Sequence, residues 1–318
     1  MRRAPFRLGY LLIDGFALMS YAPVIEPFRA ANLLTGQALY SWKHFSVTGD
    51  PALASNGVAL SVDGGVDGME GLDMLIVCAG GNPALFRDRR TLQALRRAGR
   101  LGTVIAGTSG APFILARAGL LDGYRCTIHW EHEDAFLETF PDAKLERGLY
   151  VVDRDRVTCA GGMAGLDMAI ELIAAENGPL LATRVSDWYI RTEQRAAGGP
   201  QRSSPGQRYR VWHKGLAAAL AAMEANIAEP LPRDHLARIA GVTLRQLERL
   251  FARHMGCTIA AHYLRLRLDA ASRLLRETEL SRTEIAMACG FVNTSHFSRA
   301  FKERFSISPG ALRQPARS

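Results

Sequence analysis

The sequence reads as two folds in series, an α/β domain followed by an all-α domain. Over the first two-thirds, short apolar runs alternate with helical patterns, which implies a parallel sheet covered on both faces. The last third holds no convincing strand. Between them, Ala196–Gln207 is rich in Gly, Pro and Ser, lacks apolar periodicity and reads as a flexible linker. The expected boundaries are 1–195, 196–207 and 208–318.

In chain order, Leu8–Ile13, Trp42–Val47, Met74–Cys78 and Thr103–Ala106 have the look of strands. Pro23–Leu34, Asp88–Arg100, Ala111–Ala118 and Gly165–Glu176 have the look of helices. Beyond the linker, 211–313 reads as helical throughout, with breaks at Pro230, Gly241, Gly256, Gly290 and Pro309.

The 318 residues, 48% of them hydrophobic, suit two cores of ordinary size. No apolar run approaches the ~18 residues of a membrane span, and Asp14 interrupts the apolar stretch behind Arg2, Arg3 and Arg7, so no signal peptide is expected. The five cysteines (Cys78, Cys126, Cys159, Cys257 and Cys289) lack C-x-x-C spacing. That argues against a disulfide scaffold or a zinc site and for a reducing cytoplasm, and no cofactor is expected. The net charge of +8 is unevenly placed: residues 1–195 carry −2, whereas 208–318 carry +9. A basic domain beside a neutral one points to a polyanion partner for one half only.

The basic third contains a repeat. Leu236–Gly241 aligns with Ile285–Gly290 at an offset of 49, and Leu247, Arg249 and Phe251 align with Phe297, Arg299 and Phe301 at an offset of 50. One unit therefore occurs twice, with one extra residue in the second turn. In each, a small residue (Ala237, Ala286) precedes a turn glycine by four, the pattern of a helix-turn-helix. Thr243, and Asn293 or Thr294, can N-cap the following helices, and Ser281–Glu284 forms a capping box. Thr258–Glu277, as one helix, would span ~30 Å, close to the ~34 Å between successive major-groove faces.

Ile285-Ala286, Gly290-Phe291, His296–Lys302 and Ser308-Pro309 closely resemble the signature of AraC-type DNA-binding domains, over about 100 residues. Ser306 departs from a usual glycine and Ile259 from a usual proline. The resemblance implies recognition helices Thr243–His254 and Thr294–Phe305. Arg245, Glu248, Arg249, Ser295, His296 and Arg299 are then the candidate base readers: Arg suits guanine and Glu suits cytosine N4. Phe251, Phe297 and Phe301 are expected in the core.

In the first two-thirds, Thr103–Ala116 reads as strand, sharp turn and helix, with small residues around a hydroxyl, like a nucleophile elbow. Two registers fit, one centred on Thr108 and one on Ser109. His129 lies downstream, with Glu131 or Asp134 as candidate orienting acids. Asp14–Ser20, Glu26-Pro27, Ala30–Asn32, Gly80-Gly81, Ala118–Gly123, His129-Trp130 and Gly161-Gly162 resemble a class I glutamine amidotransferase-like domain of the PfpI type, in the version fused ahead of AraC-type domains. That implies a flavodoxin-like parallel sheet. Catalytic relatives place a cysteine at the elbow, and alignment on Phe113–Ala116 puts Thr108 there; their glutamate position falls near Ser20.

The expectation is thus a ligand sensor, with Ser20, Asn82, Thr108, Ser109, His129 and Trp130 lining its site. The turn's main-chain N–H groups would meet a carboxylate, and Phe16, Tyr21 and Trp130 are candidates to cover a cationic head, with core packing favoured for each. By resemblance the protein is a homodimeric regulator, more often an activator, binding double-stranded promoter DNA and contacting RNA polymerase. Its effector would be an amino acid or quaternary amine. The alternative is a hydrolase or glyoxalase-like enzyme carried on a DNA-binding domain.

Overall fold

A computed structural model describes residues 5–313; Arg2 and Arg3 lie outside them. The chain divides into two units, Met1–Gln201 and Arg202–Ser318.

The first unit opens with β1 (Phe6–Leu12), α1 (Leu18–Thr35), β2 (Tyr40–Ser46), β3 (Ala52–Leu53), β4 (Ala59–Leu60), β5 (Gly64–Gly65) and β6 (Met74–Ala79). It continues through α2 (Arg89–Arg100), β7 (Val104–Ser109), α3 (Ala111–Arg117), β8 (Arg125–Cys126), α4 (Glu133–Thr139) and β9 (Lys144–Leu145). It closes with β10 (Tyr150–Asp153), β11 (Arg156–Cys159), α5 (Ala164–Asn177) and α6 (Pro179–Trp188).

Seven strands form one sheet in the order β10-β11-β7-β6-β1-β2-β5. All its pairings are parallel except β10 with β11. Alternate residues of β1 (Leu8, Tyr10, Leu12) and β6 (Met74, Ile76, Cys78) join one core with Val24, Phe28, Met168 and Ile173 of α1 and α5. Leu11, Leu75, Val77 and Ile105 are equally buried, as the opposite faces of doubly covered strands must be.

The sheet and helices stand where expected, with shifted ends. α1 starts at Leu18, so Pro23 lies inside it rather than at its start, and Pro27 lies there too. β7 extends to Ser109, and Asp88 caps α2 by accepting from the Thr91 N–H. The short β10 and β11, at the sheet's antiparallel edge, were not expected.

The second unit is helical: α7 (Pro205–Arg208), α8 (Lys214–Ala225), α9 (Arg233–Ala240), α10 (Leu244–Met255), α11 (Ile259–Glu277), α12 (Arg282–Ala288), α13 (Thr294–Phe305) and α14 (Pro309–Arg313). Leu216, Leu220, Leu236, Leu247 and Phe251 share a core. Phe297 packs between Phe291 and Phe301, with ring centroids 5.2 and 5.6 Å away.

Residues 196–207, expected as a flexible linker, are bound to both units. The Ala197 carbonyl accepts from the Leu149 N–H at 2.6 Å, and Gln201 is tied into the first unit. In the second unit Ser204 makes a capping box with Gln207 to start α7. Main-chain pairing of this kind leaves no apolar pattern in a sequence, which is why composition alone suggested freedom.

Candidate functional sites

The carboxyl edge of the parallel strands gathers four loops, as open α/β sheets do at their binding crevices. Residue 109, at the end of β7, is the vertex: Ser109 has φ 59°, in the left-handed region that is costly for a side chain. The elbow therefore follows the Ser109 register. This corrects the placement of Thr108 at the nucleophile position. Thr108 is wholly buried, level with Cys78 of β6 and Cys159 of β11 in the sheet register, and lines no solvent-facing surface. Burial pushes both of those thiols up to about 12, so they stay protonated at neutral pH.

Ser20 and Ser109 converge on Gly161. A Cβ on Gly161 would lie 2.7 Å from Ser109 Cβ and 2.8 Å from Ser20 Oγ, which is why a residue without one stands there, at φ +86°. Ser20 Oγ accepts from the Gly162 N–H at 3.3 Å. Asn82 is set beside the elbow by Pro83, whose ring fills the space where Gly110 would carry a Cβ. The His129 N–H donates to the Ser109 carbonyl at 3.2 Å. Ser20, Asn82, Ser109 and His129 are thus brought together. Trp130 follows, its ring 5.4 Å from that of His129.

Two expectations about this edge need correction. First, the turn is a poor anion site: the Gly110 N–H is bonded to the Ala79 carbonyl at 3.1 Å, and Pro112 has no N–H. Second, His129 and Glu131 form no dyad. The segment is a turn, not a strand, and the Glu131 main-chain N–H donates to His129 Nδ1 at 3.3 Å. An accepting Nδ1 leaves the ring proton on Nε2, so His129 presents an N–H. Burial, reinforced by His132 and opposed by Glu131, lowers its pKa and keeps it neutral. Of the three aromatic candidates, Phe16 is fully buried core and the Tyr21 hydroxyl is bonded to His44 at 2.7 Å. Glu26 accepts from Arg29 at 2.7 Å and from the Tyr189 hydroxyl, a structural role.

Sequence reasoning missed two features here. Asp167, fully buried, is clamped by Arg191 and Arg195; a lone acid in the apolar run Gly165–Ile170 was the available signal, since a buried charge needs partners. Gln201 left no signal. Its Nε2 donates to the Gly148 and Ile128 carbonyls at 2.8 and 2.9 Å, and its Oε1 accepts from the Trp130 N–H at 2.8 Å.

In the helical unit, α9-turn-α10 and α12-turn-α13 repeat one geometry. Gly241 and Gly290 take φ +67° and +73° in the turns. Thr243 and Asn293 cap α10 and α13. Ser306, in place of glycine, closes α13 in the left-handed conformation at φ 61°. Arg245, Glu248 and Arg249 all stand exposed on α10, and Ser295, His296 and Arg299 on α13. Glu248 is paired with Arg233 of α9 at 3.3 Å. Phe251, Phe297 and Phe301 are fully buried. Among the described residues no group of His, Cys, Asp and Glu could hold a metal, and no helix is long and apolar enough to cross a membrane.

Comparisons agree with both halves. Residues 11–175 match the DJ-1/PfpI family and residues 236–315 match a helix-turn-helix domain. The HTH-type transcriptional regulator GlxA of Rhizobium meliloti (strain 1021) is 43% identical, over 97% of this chain and 95% of that protein. The HTH-type transcriptional regulator GbdR of Pseudomonas aeruginosa (strain UCBPP-PA14) is 41% identical, over 98% and 85%. The crystal structure of an AraC family transcriptional regulator from Pseudomonas putida superposes with a TM-score of 0.53 at 26% identity, covering 58% of this chain and 100% of that one. A ThiJ/PfpI family protein from Pseudomonas syringae, 22% identical, shares the fold with a TM-score of 0.54 over 75% of this chain and 91% of its own. The chain belongs to the AraC-type, DNA-binding transcription regulators that carry a DJ-1/PfpI-family domain ahead of their helix-turn-helix units.

Proposed function

We propose that the α/β unit senses a small metabolite and that its binding sets how the helical unit engages promoter DNA. The observation that carries this reading is the elbow itself: a serine stands at its vertex, and its neighbour His129 offers an N–H rather than a lone pair. A serine nucleophile needs a base with an unprotonated nitrogen facing its hydroxyl. An N–H donor, two hydroxyls and the Asn82 amide form instead a neutral hydrogen-bonding set. Such a set suits the carboxylate of an amino acid or betaine, and Trp130 offers a ring face to a cationic head.

Arg245, Glu248, Arg249, Ser295, His296 and Arg299 are the proposed base readers, because all six are exposed on the two second helices. Homodimerisation fits this scheme, since paired sites multiply affinity, as does activation through RNA polymerase in a cytoplasmic setting.

A thermal-shift screen with amino acids and betaines tests the proposal. A matching ligand should raise the melting temperature by mass action, and Ser109→Ala and His129→Ala should shrink that rise. Turnover of esters, amides or methylglyoxal that disappears in both variants while they stay folded would make the unit an enzyme instead.

A further inference from the structure

Val292 is 98% exposed, although it adjoins a buried turn. The first helix-turn-helix explains why that is unusual. There Val242 directly precedes the cap Thr243 and packs on the core that contains Leu247, four residues beyond the cap. This is the staple by which an apolar residue ahead of a cap fixes the chain's entry into a helix. In the second unit Phe291 does that work. It is 3% exposed, and its ring lies 5.2 Å from Phe297, the counterpart of Leu247. Main-chain bonds confirm the equivalence: the Val242 N–H donates to the Ala237 carbonyl, and the Phe291 N–H to the Ala286 carbonyl. Val292 is therefore the extra residue of the second turn and has no packing duty.

It is nonetheless held in place. Arg267 of α11 lies over the Phe291 ring at 4.1 Å and donates to the Cys289 and Gly290 carbonyls at 2.7 and 2.5 Å. On the other side, the Asn293 side chain accepts from the His296 N–H at 2.8 Å. An isopropyl group is thus fixed in water at the entry of α13, continuous with exposed Ser295 and His296. Helix-turn-helix proteins present that end of the second helix to base edges in the major groove. The apolar group on a base edge there is the thymine methyl.

We propose that Val292 is a specificity residue that packs against a thymine methyl group in the half-site read by α13. The proposal rests on α13 being a reading helix. The test uses the full chain. Bound duplexes are selected from a random pool, and each thymine of the selected site is then replaced singly by uracil, which removes only the methyl. Wild type should lose roughly fourfold in affinity at one thymine, the worth of about one buried methylene. Val292→Ala should lose a similar amount on the unmodified site and be indifferent to uracil at that thymine. Its exposure means the substitution leaves the fold intact, which an unchanged melting temperature would show. Uracil penalties identical in the two proteins would overturn the contact. Arg299→Ala, measured in parallel, separates the two levels: a loss there alone refutes the valine contact, and a loss in neither variant removes α13 as a reader.

Discussion

His262 lies in α11 with 4% of its surface exposed and no hydrogen bond at either ring nitrogen. Its ring meets Tyr209 and Phe251 edge-on at 5.3 and 5.8 Å. Burial lowers its pKa, Arg265 adds to the effect, and Glu224 and Asp269 oppose it. The unfolded chain therefore takes up this proton first. As pH falls through the unfolded value near ~6.5 towards the lowered folded value, the unfolded state is favoured and stability is lost. Replacing His262 with Leu should flatten that acid-side loss for the helical unit, as read by denaturant melts between pH 7.5 and 5. An unchanged slope would show that His262 does not set the acid-side loss of that unit; His44 and His129, whose pKa values burial also lowers, belong to the α/β unit. The same scale explains the shift at the elbow. A one-residue change of register exchanges the faces of a strand, so Thr108 turns into the core with Cys78 and Cys159 while Ser109 takes the vertex. The residue pattern allowed both registers, and only backbone geometry separates them.

At the scale of elements, α10 and α13 present Arg245, Arg249 and Arg299 outward, whereas Arg304 of α13 is tied to Asp269 of α11. Arg245, Arg249 and Arg299 are exposed, and their helices are held by Leu247, Phe251, Phe297 and Phe301 beneath. Arg245→Ala or Arg299→Ala should therefore leave stability unchanged and cost ~1–3 kcal/mol of DNA binding, relaxing preference at one base pair. A uniform loss over all sequences would reassign the residue to phosphate contact. These helices were legible because caps, turn glycines and apolar spacing all occur twice, so each copy checks the other. The central strands β1, β2, β6 and β7 were legible as apolar runs. The last two strands, β10 at the edge and β11 beside it, four residues each, were not, because such short segments carry too little periodicity. α1 was read too short because Pro23 looks like a first-turn residue. It is tolerated inside the helix, where it is buried and packs against Gly165 of α5. His129 was found by its residue type, but its proton could be assigned only from the turn that brings the Glu131 N–H to Nδ1.

On the scale of the whole chain, the segment leaving the α/β unit is fastened at three points. Arg191 and Arg195 pair with buried Asp167, Ala197 accepts from the Leu149 N–H, and Gln201 bonds to Thr127, Ile128, Trp130 and Gly148. The last of these meets the candidate sensing site. His129 donates to the elbow carbonyl of Ser109, and the next residue, Trp130, donates to Gln201, the final residue of the unit. A ligand that shifts His129 and Trp130 would thus act directly on the residue from which the chain passes to the DNA-binding unit. Adjacency alone is not coupling, so the prediction concerns a response. In full-length Gln201→Ala, hydrogen exchange at the Trp130 amide should rise by about fivefold, since its partner is lost and a hydrogen bond is worth ~1 kcal/mol net. Both units should stay folded, because neither core includes Gln201. An effector found by thermal shift should still bind the variant, while the change it causes in DNA affinity shrinks. A full response to effector together with faster Trp130 exchange would show that Gln201 only fastens the segment and that the signal leaves the unit by another route.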